Sequence, residues 1–99
     1  VIDTRIIHAL GNTKAGAEAA RKRERSAAEA AFDDARTDLW ELLNEGPNPP
    51  LGVREDLEAD LNRYEEVLKL LRLGRFWAAA YISKVIIGDL TLVADRWVA

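Results

Sequence analysis

Gly46-Pro47-Asn48-Pro49-Pro50-Leu51-Gly52 decides how this 99-residue chain folds, because nowhere else is the backbone so plainly barred from remaining helical. Its three prolines lack amide hydrogens, and each pushes the residue before it toward extended conformations. The chain therefore turns here. Asn48 followed by Pro49 also suits an N-cap with proline in the first turn, so the next helix is expected to start between Pro49 and Val53.

Outward from this loop, both flanks carry the same apolar rhythm. Upstream, Ala28, Phe32, Ala35, Leu39 and Leu42 step by four and three residues; downstream, Leu57, Leu61, Tyr64, Leu68 and Leu71 do the same. Each set lines one side of a helix. Arg54 and Glu58, and Glu65 and Lys69, add i,i+4 pairs on the outer face. Between Lys14 and Glu45 there is no Pro and only Gly16, and Ala, Glu, Arg and Leu dominate. That composition predicts one long helix over about 14–45, whose upstream half offers a partner little but Ala. A second helix is expected over 53–73, ended by Gly74. Two seamed helices joined by a rigid loop form an antiparallel helical hairpin, and the expected class is all-α.

The ends are less regular. Ile2, Ile6 and Leu10 suggest a short N-terminal helix over Val1–Leu10, with Asp3 as its cap and Gly11-Asn12 as its stop. From Phe76 to Val98 the apolar residues cover most directions around a helix, so a deeply buried, apolar C-terminal helical segment is expected, interrupted at Gly88. An alternative is a small β-hairpin at 85–93, because Gly88-Asp89 between β-branched flanks suits a type II′ turn. Such a hairpin is marginal unless other elements cover it. No internal repeat is evident. The whole chain reads as a single helical domain, 1–99, and having no Met it is compatible with belonging to a longer polypeptide.

Composition narrows the function classes. Zero Cys removes disulfides, thiolate nucleophiles and sulfur-based metal sites, and His8 is the sole imidazole. Ser26 and Ser83 lie in no nucleophile motif. The six glycines are scattered, with no phosphate loop or dinucleotide fingerprint. Asp56 and Asp60 share a helix face and would hold a hard cation weakly, but a solvated acidic face is the expectation. No enzyme activity, cofactor or metal is therefore expected. The net charge of −3 is spread evenly, with seven Lys/Arg against nine Asp/Glu in residues 1–50 and seven against eight in 51–99. Lys84, Asp89, Asp95 and Arg96 interrupt the apolar C-terminal segment, so no membrane span is expected. With no targeting pattern in view, the cytoplasm is the default expectation.

Two surfaces remain as candidates. Phe76, Trp77, Tyr81, Val85, Ile86 and Trp97 supply more apolar and aromatic area than one helical partner covers, and Trp and Tyr are enriched at interface hot spots. They point to a helical interaction or structural module that self-associates as a homo-oligomer or docks on a protein partner within a larger assembly. The alternative is a small nucleic-acid-binding regulatory protein using Arg21, Lys22, Arg23 and Arg25. On one continuous helix those cations point all around the axis, and Glu18 and Glu29 stand at i,i+4 from Lys22 and Arg25.

Overall fold

The computed structural model describes residues 3–97, so Ile2 and Val98 of the terminal segments lie outside the described residues. Those described form four helices: α1 (Thr4–Arg21), α2 (Arg25–Glu45), α3 (Val53–Arg72) and α4 (Phe76–Arg96). Each packs on two others, α1 and α3 both lying against α2 and α4, which closes a four-helix bundle. Sequence neighbours run antiparallel, as cross-helix pairs such as Arg36–Glu65 and Arg96–Asp56 show. The long dimension, 38 Å, is that of one 21-residue helix of ~31 Å plus its turns.

The all-helical class is as expected, but the division of the chain is not. The helix expected over 14–45 is broken at Lys22-Arg23-Glu24, and its first part joins the N-terminal helix into α1. Asp3 does cap α1, its carboxylate accepting from the Arg5 amide at 2.9 Å. Gly11-Asn12 does not stop it. The buried face Ile6, Ala9, Thr13, Gly16, Ala17 and Ala20 runs straight past Gly11, and that continuous burial outweighs the ~1 kcal/mol a mid-helix glycine costs. Small residues on α1 are the contact itself, since at Gly16 even a Cβ would stand 2.9 Å from the Phe32 ring. The 85–93 hairpin does not form, and α4 passes through Gly88 unbroken.

The break at 22–24 is a Schellman turn. The Glu24 amide donates to the Ala19 carbonyl (2.9 Å) and the Arg23 amide to the Ala20 carbonyl (3.0 Å), with Arg23 left-handed at φ 59°. The α3–α4 turn repeats it: Arg75 donates to Leu70 (2.9 Å) and Gly74 to Leu71 (3.0 Å), with Gly74 at φ 73°. The second turn carries the expected glycine; the first carries an arginine, and so gives no signal in the sequence.

This correspondence extends along the whole bundle. Adding 51 to the buried positions of α1 (6, 9, 13, 16, 17, 20) gives 57, 60, 64, 67, 68 and 71, all buried in α3. The same shift carries 28, 32, 35, 39 and 42 of α2 onto 79, 83, 86, 90 and 93 of α4. Thr13 and Tyr64, themselves 51 positions apart, meet across the bundle with their hydroxyl oxygens 2.6 Å apart. The molecule is thus two helix pairs with one pattern of buried positions, a repeat of burial with little identity of residues.

Candidate functional site

The internal repeat provides a control for reading the surface. On α4, Trp77, Tyr81, Val85, Gly88 and Leu92 form a stripe diametrically opposite the buried face, and the four large side chains are 71, 72, 47 and 60% exposed. The equivalent positions on α2 are Ser26, Ala30, Asp34, Thr37 and Glu41, an ordinary solvated face. Two helices with the same inward pattern therefore differ in what they show outward. The α4 stripe is not needed for its own hairpin, because α2 manages without one. Gly88 adds a notch, with nothing within 4 Å of where its Cβ would stand.

Of the residues singled out from sequence, Trp77, Tyr81 and Val85 come together on this stripe. Ile86 and Trp97 do not join it: they face inward and belong to the chain's own core, together with Leu90 and Val93. Apolar residues that cover most directions around the helix do not separate these two from the stripe, whereas α1 and α3 cover the side that they occupy. Phe76 is half-buried, with the Arg25 guanidinium 5.7 Å from its ring centroid. Leu92 extends the stripe. By length and composition α4 is also apolar enough to cross a membrane, a property shared with core helices; here its inner face is packed against α1 and α3.

The cations of the first turn acquire company that their sequence positions hide. The 22–24 and 73–75 turns lie at the same end of the bundle, where the Gly74 Cβ would stand 3.5 Å from Arg25 Nη2. Arg21, Lys22, Arg23 and Arg25 are thereby joined by Arg72 and Arg75, with Glu24 the one acid within the turns. Glu18 lies 3.6 Å from both Arg21 and Lys22, and no such partner lies within 4 Å of Arg23, Arg25, Arg72 or Arg75 among the described residues. Leu73 sits among them, 63% exposed, and a groove of about 330 Å³ is lined by Arg23, Gly74, Arg75, Phe76 and Trp77. By formal charge, the half of the bundle bearing both turns (13–33 and 64–86) has nine Lys/Arg against six Asp/Glu, and the other half five against eleven.

A polar layer crosses the core. Asp60, expected on a solvated face, is fully buried, with Arg63 donating to its Oδ1 at 2.7 Å. Its Oδ2 and Asp89 Oδ2 are the buried side-chain polar atoms without a partner among the described residues. Burial, and then the neighbouring Asp89, raise the Asp60 carboxyl to about 8, so at neutral pH it holds a proton that satisfies both oxygens. Burial likewise pushes the Tyr64 phenol up, against the opposing hydrogen bond to Thr13. The Thr13 hydroxyl also donates to the Ala9 carbonyl at 2.6 Å. Sequence periodicity places Asp60 one turn before Tyr64 on the seam, which was the available signal for its burial.

His8 is exposed on α1, where with Arg5 it offsets the burial that raises the Asp38 carboxyl of α2. Ser83 is buried and donates to the Ala80 carbonyl at 2.7 Å. A shallow groove of about 360 Å³ between α2 and α3 is lined by Arg36, Trp40, Leu61 and Glu65, and the Arg36–Glu65 pair at 2.6 Å spans it. No family model matches the chain, and neither a curated protein nor a solved structure does.

Proposed function

We propose that this chain is a non-enzymatic helical interaction module that pairs with a second copy of itself through the outer face of α4. The observation that carries this reading is the asymmetry of the repeat: Trp77, Tyr81, Val85 and Leu92 are exposed where the matching positions of α2 are small or polar. Leaving such a stripe in water forfeits the transfer free energy of two aromatics and two aliphatics, which a matching surface recovers.

Charge favours a copy of the same chain in antiparallel orientation. The basic end of one molecule then lies beside the acidic end of the other, and both contacts form at once by symmetry. In that arrangement Trp77 meets Leu92 and Tyr81 faces the Gly88 notch, large against small. A single helix face is at the low end of specific interfaces, so pairing is expected in the micromolar range.

Light scattering after size-exclusion chromatography, over micromolar to millimolar chain, tests it. The wild-type chain should pass from 11.0 kDa toward twice that mass, and Val85→Glu with Leu92→Glu should hold it monomeric with an unchanged unfolding midpoint. A wild-type chain that stays monomeric at millimolar concentration refutes the reading.

A further inference from the structure

We infer that the turn end of the bundle is a docking surface for an anionic lipid bilayer. The inference stands apart from self-pairing and uses a different set of residues, sharing only Trp77 with it.

Three observations converge. First, tertiary structure gathers Arg21, Lys22, Arg23, Arg25, Arg72 and Arg75 from two turns onto one end, against Glu24 alone in those turns. Second, exposed apolar groups stand among those cations: Leu73 at the apex of one turn and Trp77 one turn of helix further on. Third, the opposite half of the molecule is acidic, so the molecule is a dipole whose basic end an anionic surface would attract and whose other end it would repel.

A cationic rim around an apolar tip, with an indole nearby, is the pattern that meets headgroups and the first acyl carbons together. Each Lys or Arg near an anionic leaflet contributes separately, so Arg23, Arg25, Arg72 and Arg75, which have no acidic partner within 4 Å among the described residues, act cumulatively, while Glu18 offsets part of the charge of Arg21 and Lys22. The alternative polyanion, a nucleic-acid duplex, is served less well. Its contacts are polar and run along a groove, whereas these cations ring a blunt end whose apex is leucine. The first turn also keeps Arg23 in the left-handed region, where glycine would be at ease, and so retains a cation at some cost to the fold.

The test is co-sedimentation of the full chain with vesicles of phosphatidylcholine alone and with about one-third phosphatidylserine. Expected is binding to the anionic vesicles only, weakened by salt, with Trp77 reporting through a blue shift that Trp77→Phe removes. Arg72→Glu with Arg75→Glu should weaken binding at least ten-fold, and Leu73→Ser several-fold, with helical circular dichroism unchanged. Val85→Glu with Leu92→Glu, which ends self-pairing, should leave vesicle binding intact, so the two readings fail separately. Equal binding to neutral vesicles overturns the inference. So does insensitivity to Leu73→Ser combined with tighter, salt-dependent binding to a DNA duplex, which would assign the end to nucleic acid.

Discussion

Replacing Asp60 by Asn should abolish a large, inverted pH dependence of stability. In the fold this carboxyl stands at about 8 rather than its ordinary 3.8, because burial and the facing Asp89 of α4 disfavour its charge more than Arg63 favours it. The folded chain therefore holds a proton that the unfolded chain releases above about pH 4. Unfolding then gives up a proton, so raising the pH favours the unfolded state by roughly 1.4 kcal/mol per unit between about 4 and 8. The contribution is fully present below pH 4 and lost as the pH climbs to about 8; the whole window is worth about 6 kcal/mol, comparable with the total stability of a small domain. Asn keeps the oxygen that accepts from Arg63 at 2.7 Å and offers an N–H in place of the shared proton, but it cannot ionise. Urea unfolding of both proteins from pH 5 to 9 is the assay. Their stabilities should diverge by about 1.4 kcal/mol per unit up to pH 8, with Asp60→Asn the more stable at the alkaline end, and then run parallel. Curves parallel throughout would refute a protonated Asp60. The difference between the two proteins cancels the ordinary acid loss from surface carboxylates.

Three further substitutions probe the packing. Gly16→Ala should destabilise by about 1–3 kcal/mol in spite of alanine's better helix propensity, because its Cβ would press on the buried Phe32 ring; chemical denaturation measures it. Arg23→Gly should raise the melting temperature by several degrees, on the order of 1 kcal/mol, by relieving the left-handed arginine, a gain read by calorimetry. Leu39→Ala, fully buried on α2, should cost about 2–5 kcal/mol, and an unchanged unfolding midpoint would contradict its place in the core.

What the sequence determines by itself is whatever local chemistry writes at each position. The prolines of 47–50 force a turn, the steps of four and three from Ala28 and Leu57 make helices, and Asp3 and Gly74 mark helix ends, because each acts through its own backbone or its nearest neighbours. The exposed Trp77, Tyr81 and Val85 were legible as surplus, although Ile86 and Trp97, on the same helix, were not separable from them without knowing where α1 and α3 lie. Tertiary structure alone decided the rest. The turn at Lys22-Arg23-Glu24 runs against the local helical preference, and it holds because breaking there lets the Ala and Gly face of α1 pack on Phe32. The 51-residue repeat is one of buried positions, not of residue identity or size, and so leaves no trace in composition. The company of Arg23 with Arg72 and Arg75, and of Asp60 with Asp89, joins positions about 30 to 50 residues apart. The α3–α4 hairpin brings the second pair together, and only the closing of two hairpins into one bundle makes the first neighbours.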